Sequence, residues 1–262
     1  MTAPDPSLPD MRGPDMRGKV VLITGASRGI GLGVARGFAA AGADLHLLAE
    51  DDAVLPAAHR LGAAGHVADI ARNEALVAVM AGIGRLDVLI NNAGLERLTP
   101  LDDAGSANEA TFRRILEVNV VGTFLATRAA LPHLGAGARI INTASVWGRV
   151  AEPLFGAYVA SKHAIIGLTK TWARELGPRG IAVNAVAPGW VRTESAMRSL
   201  GRMAADAGRP ESEMLADILA GQALPGLMEP DDMIGPYLFL ASDLARTVTG
   251  QTLGADRGEA PW

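Results

Sequence analysis

The chain contains no cysteine. That excludes disulfides, thiolate catalysis and cysteine-ligated metal, and it fits a cytoplasmic protein. Aromatic residues are scarce, at 4% of 262, with two Tyr, four Trp and five Phe. Lysine is scarcer still, occurring at only three positions. No basic excess exists, because the net charge is −4, so a nucleic-acid partner is not expected. No unbroken apolar run reaches the roughly 18 residues of a membrane span, and a basic stretch followed by an apolar one is missing at the start. Neither a membrane partner nor a signal peptide is therefore expected. The five His show no ligand spacing, which predicts no metal.

What is present suits one large α/β domain. Apolar residues make up 49% of the chain, enough for a sizeable core. Residues 1–18 are rich in Pro, Asp and Gly and repeat Pro-Asp-Met-Arg-Gly in tandem, so a disordered lead-in to a domain over 19–262 is expected. From Lys19 short apolar runs alternate with helix-like segments. The pattern predicts strands at 19–24, 44–49, 65–68, 86–90, 138–144, 181–187 and 251–255, and helices at 29–41, 52–61, 72–83, 108–133, 156–177 and 230–241. Near-continuous apolar strands such as Val20-Val-Leu-Ile imply burial on both faces, hence a parallel, doubly wound sheet. Segment 194–228 breaks the rhythm and reads as one or two helices outside the sheet, a small lid over the site.

Tyr158 and Lys162 carry the most information. They are four residues apart in a helix-like segment, so their side chains share one face. With so few Tyr and Lys, such a pair arises by chance about 0.02 times. An ammonium beside a phenol favours the phenolate and draws its pKa down from roughly 10, which suits proton exchange with an alcohol or ketone. Ser145 ends the apolar run from Arg139 and could donate a hydrogen bond to a substrate oxygen, or cap a turn. Asn119 sits inside an apolar stretch without a turn and needs hydrogen-bond partners. Near the start, Thr24-Gly25-Ala-Ser27-Arg28-Gly29-Ile30-Gly31 joins the first strand to the first helix. Its glycines allow a tight turn and close approach of phosphate, and the helix offers free N–H groups. Asn91-Asn92-Ala93-Gly94 and Pro188-Gly189 end later strands at the edge where such sheets bind ligands. Asp69 could accept a hydrogen bond from an adenine amino group.

These motifs, in order over 19–258, resemble the classical short-chain dehydrogenase/reductase family. The resemblance implies a single-domain Rossmann-type fold, a nicotinamide cofactor, and a small-molecule alcohol or ketone substrate. It implies a catalytic set of Asn119, Ser145, Tyr158 and Lys162. Tyr158 would move the proton, Ser145 polarise the carbonyl, Lys162 bind the nicotinamide ribose, and Asn119 help hold a water relay. Cofactor contacts would come from Gly25, Ser27, Arg28, Gly29, Ile30 and Gly31 in the first turn. Further contacts would come from Glu50, Asp69, Ile70, Asn91, Ala93 and Gly94, and from Tyr158, Lys162, Pro188, Gly189, Val191 and Thr193. A homo-oligomer, tetramer or dimer, would follow as well.

Two features depart from the family pattern. Ala49 stands where NAD-preferring relatives often carry Asp, with Glu50 next, whereas Arg28 answers to the basic residue of NADP-preferring relatives. The acidic run Glu50-Asp51-Asp52 favours NAD, with NADP the alternative. Near the C-terminus, Ala255-Asp256-Arg257-Gly258 replaces a Val-Asp-Gly-Gly-like pattern. Candidate substrate contacts are Glu96, Ser145, Trp147, Glu152, Tyr158 and Trp190. The two acids would disfavour an anionic substrate and tilt the reading to a polyol or sugar-like one. Two other classes remain: a redox-inactive nucleotide sensor on the same fold, and a nucleotide-sugar epimerase or dehydratase.

Overall fold

A computed structural model describes residues 14–261. Seven strands form one parallel sheet in the order β3-β2-β1-β4-β5-β6-β7. They are β1 (Val20–Thr24), β2 (Asp44–Ala49), β3 (Ala64–Val67), β4 (Leu86–Asn91), β5 (Leu134–Thr143), β6 (Ala182–Pro188) and β7 (Thr252–Ala255). The first three helices are α1 (Gly29–Ala40), α2 (Val54–Arg60) and α3 (Asn73–Ile83). α4 (Ser106–Leu116) and α5 (Thr123–Ala130) follow, and then α6 (Gly156–Leu176). α7 (Glu194–Asp206), α8 (Glu211–Ala220) and α9 (Ile234–Ala241) complete the set.

Alternation along the strands builds two apolar layers. Val21, Ile23, Val88 and Ile90 face one layer with Phe38 of α1 and Leu240 of α9. Leu22, Leu86 and Leu89 face the other with Leu76 of α3, Ala126 of α5 and Trp172 of α6. A buried polar chain ties that second layer together. Asn91 donates to Thr127 and to Asn142, each at 2.9 Å, and Asn142 donates to Thr169 at 2.9 Å.

Three details differ from the sequence expectation. Residues 14–18 are ordered: Met16 is 1% exposed and its N–H bonds to Ala41 O at 2.9 Å, so the lead-in ends earlier than expected. Residues 1–13, the rest of that lead-in, lie outside the described residues. β5 begins at Leu134 and pairs with Leu86 across an irregularity, whereas the Gly-Ala repeat after it hides the strand from a hydrophobicity pattern. The helix expected at 108–133 is one run from Ser106 to His133 with a π-helical turn at Glu117–Gly122. That run is long and apolar enough to cross a membrane by length and composition, contrary to the absence of such a span expected above, but 44% of its most apolar window is buried inside the fold.

Candidate active site

Sheet order reverses between β1 and β4, so the carboxyl ends of the strands open a crevice there. The turn after β1 is built for close approach. Gly25 has φ +66°, and a Cβ on it would lie 2.6 Å from Ala93 Cα. A Cβ on Gly31 would lie 2.3 Å from Gly25 O. α1 starts at Gly29 with no side-chain cap and no acid in its first turn, leaving its N–H groups open to an anion. These features fit the pyrophosphate of a dinucleotide.

From that turn a cleft runs past Glu50, Asp69 and Ile70 to Ala93, Gly94, Tyr158 and Lys162. A second, smaller cavity is walled by Ser145, Trp147, Tyr158, Pro188, Gly189, Trp190 and Val191. Ile30, Glu96, Thr143, Tyr158 and Thr193 line both, so the two spaces meet at the phenol.

Local structure places each candidate. Tyr158 stands in the first turn of α6, whose start is capped by Thr99: its Oγ1 accepts the Ala157 N–H at 3.1 Å. Lys162 is one turn on, and its Nζ donates to Thr143 O, at the end of β5, at 2.7 Å. The ammonium sits 5.4 Å from the Tyr158 ring centroid. Ser145 follows β5; its Oγ accepts the Trp147 N–H at 3.2 Å, and it lines the smaller cavity together with Tyr158. This serine caps the turn and also faces the smaller cavity. Asn119 lies in the π-turn. Its side chain grips Leu95 at both backbone atoms, at 2.7 and 3.0 Å, and donates to Ser161 at 2.9 Å. A Cβ on Gly94 would be 3.4 Å from Asn119 Oδ1 and 3.7 Å from Lys162 Nζ, which places both beside the loop after β4.

The electrostatics reverse one expectation. Burial pushes the Tyr158 phenol above its ordinary value, Glu96 adds to the rise, and the neighbouring Ser145 hydroxyl opposes it. Burial likewise draws the Lys162 ammonium down to about 8, against an opposing pull from Glu96. Desolvation of two neighbouring groups outweighs the expected help of the ammonium to the phenolate. Tyr158 is part-exposed as a residue because its ring lines both cavities, while its hydroxyl lies deep. Glu96 is itself raised, chiefly by burial, and Ser195 Oγ of α7 donates to it at 3.2 Å.

Not every expected residue reaches the cavities. The Asn91 side chain points into the sheet, and Asn92 takes the place on the cleft wall. Gly31 packs beneath the turn. Glu152 lines neither cavity and instead helps burial and Asp256 push Glu259 up to about 7. Trp147 lines the smaller cavity and also packs edge-on to Trp190 at 5.8 Å and to Tyr158 at 6.0 Å. Conversely, the cleft wall includes Arg114 and Glu194, which carried no motif, beside Asp51 of the acidic run after β2. Arg114 binds Asp69 at 2.8 Å and Glu117 at 3.0 Å, so the Asp69 carboxylate is already engaged on the cleft wall.

A family model described as enoyl-(acyl carrier protein) reductase matches residues 25–259. The chain is 38% identical to a galactitol 2-dehydrogenase (L-tagatose-forming) of Cereibacter sphaeroides, over 94% of this chain and 96% of that protein. It is 32% identical to a D-beta-hydroxybutyrate dehydrogenase of Cupriavidus necator, over 93% and 98%. Among solved structures it is similar to a candidate NAD(P)-dependent gluconate 5-dehydrogenase of Beutenbergia cavernae with bound NADP. That match has a TM-score of 0.82 and 36% identity, covering 94% of this chain and 99% of the other.

Proposed function

Because this chain belongs to the short-chain dehydrogenase/reductase family and is an NAD(P)-dependent oxidoreductase of CH–OH groups, we propose that Tyr158 carries the proton while a hydride passes between nicotinamide and a secondary alcohol or ketone. The observation that carries this reading is the placement of Tyr158 on the wall shared by the two cavities, with Ser145 beside it on the smaller one and the Lys162 ammonium 5.4 Å from its ring centroid. The dinucleotide, when bound, supplies or accepts the hydride. Ser145 and Tyr158 hold the substrate oxygen, and the Tyr158 hydroxyl gives its proton to that oxygen in reduction and takes it back in oxidation. The buried Lys162 ammonium, beside the ring, stabilises the phenolate that results. Asn119 keeps the loop after β4 and the neighbouring α6 in register with it. α7 and α8, with residues up to 228, form the lid.

The reading includes an uncharged polyol or sugar-like substrate. Among the described residues, Glu96 is the one ionisable acid or base on the smaller cavity apart from Tyr158, and none on that wall is a cation that could pair with a substrate carboxylate. A carboxylate accepts hydroxyl hydrogen bonds and repels an acid. NAD is the preferred cofactor in this reading, from the acids that follow β2. Self-association into a homo-oligomer is also proposed, with the exposed Phe112, Val121 and Phe124 on the α4–α5 run as candidate contacts.

A panel of galactitol, gluconate and 3-hydroxybutyrate, read at the nicotinamide absorbance with both cofactors, tests this. The neutral polyol is expected to lead the acids by about ten-fold or more in kcat/KM. Tyr158→Phe is expected to lower turnover by ~10²-fold or more with cofactor affinity kept. Near-normal turnover in the folded variant would overturn the proton role, and a preferred acid would overturn the substrate class.

A further inference from the structure

Asp51 is fixed at three points in the adenosine half of the cleft. Its Oδ1 accepts the Ala53 N–H at 3.1 Å, just before α2. Its Oδ2 accepts from Ser27 Oγ at 3.1 Å and from Arg28 Nη2 at 2.5 Å. Ser27 and Arg28 belong to the glycine turn, so this one carboxylate ties that turn to the segment after β2. On its other side, Arg28 Nη1 lies 3.6 Å from Glu194 Oε2 at the start of α7. The guanidinium is thus bracketed by two carboxylates. The other guanidinium on the Glu50 side, Arg114, is held by Asp69 and Glu117. Glu50 is 3.8 Å from Arg114, and its side chain is 70% exposed.

Resting on the reading of the cleft as a nicotinamide dinucleotide site, we propose that Asp51, rather than Glu50, sets the cofactor preference, by withholding Arg28 and Ser27 from the 2′-phosphate of NADP. A 2′-phosphate brings almost two negative charges and needs a guanidinium free to fork onto it. It can take Nη2 of Arg28 here only by displacing Asp51, and on the remaining guanidinium donors it would sit beside the Asp51 carboxylate as a like charge. Ser27 offers no alternative, since its hydroxyl proton already goes to Asp51. NAD carries only hydroxyls at that ribose and leaves the Asp51–Arg28 pair intact.

Equilibrium binding of NADH and NADPH, followed by nicotinamide fluorescence at one fixed ionic strength, tests this on the full chain. Four proteins are compared: the unaltered chain, Asp51→Asn, Asp51→Asn with Arg28→Ala, and Glu50→Ala. Asn keeps the size of the side chain and one acceptor oxygen while removing the charge. The unaltered chain is expected to bind NADH the more tightly. Asp51→Asn should raise the NADPH-to-NADH affinity ratio about ten-fold or more, and the added Arg28→Ala should cancel that rise. Glu50→Ala should move the ratio less. An unchanged ratio in Asp51→Asn, a rise that survives Arg28→Ala, an equal rise in Glu50→Ala, or tighter NADPH binding by the unaltered chain would each overturn the proposal while leaving the dinucleotide site standing. Failure of the unaltered chain to bind either nucleotide would instead remove the cofactor reading beneath it. NADH binding by each variant reports that it has folded.

Discussion

Arg257 occupies a left-handed backbone position, φ +55°, that favours glycine. Here the family's glycine-like pattern is broken, and the structure supplies a reason. The Arg257 guanidinium donates to Pro225 O at the end of the lid segment and lies 3.9 Å from Asp232. Strain at one residue is offset by a tie between lid and C-terminal segment. Arg257→Ala keeps the strain and loses the tie, whereas Arg257→Gly loses both. Urea unfolding should therefore find the glycine variant about 1 kcal/mol more stable than the alanine one. Equal stabilities would show that the position carries no strain. The tie itself was not legible in the sequence, because its partners are 32 residues apart. The same holds for Arg114 and Asp69, 45 residues apart, and for Asp51 and Arg28, 23 apart. Tyr158 and Lys162 were legible because one helical turn joins them. Their ionisation was not, since burial depends on everything packed around them.

At the level of elements, adjacent strands β2 and β3 carry His46 and His66, whose rings stack at 5.2 Å between centroids with Nδ1 and Nε2 3.0 Å apart. Burial lowers both pKa values from 6.5; the neighbouring His lowers His66 further, while Asp44 partly opposes the drop at His46. A histidine harder to protonate when folded contributes stability that is complete above its unfolded value and is lost as pH falls below it. The urea midpoint should thus decline on acidification from pH about 7.5 to about 5, and decline less in His66→Gln. An identical decline in that variant would clear the pair of any part in it. Most strands and helices were legible because apolar runs of strand length and helical spacing suffice to mark them. The π-turn was not, since one widened turn leaves the apolar pattern of 106–133 unbroken. Yet that turn carries Asn119 to Leu95 and Ser161. π-turns are often found at functional sites.

Taken whole, the molecule has Thr143 as a junction. Its carbonyl receives Lys162, and its hydroxyl lies 2.6 Å from that of Tyr237, a fully buried residue of α9 on the far side of β5. Tyr237 and Tyr158 are the chain's two tyrosines, and burial raises the pKa of both. A phenol harder to ionise when folded stabilises the protein fully below the unfolded value of about 10, and that stabilisation is lost as pH climbs past it. In optical terms, the native protein should stay almost dark in the tyrosinate absorption band under alkaline conditions that ionise free tyrosine. The band should then rise in one step with unfolding, as judged by far-ultraviolet circular dichroism. A gradual rise ahead of the loss of helix would mean that one phenol titrates in the folded state. Tyr158→Phe would show which of the two it is, so the scarcity of tyrosine gives this protein a built-in indicator of its own core.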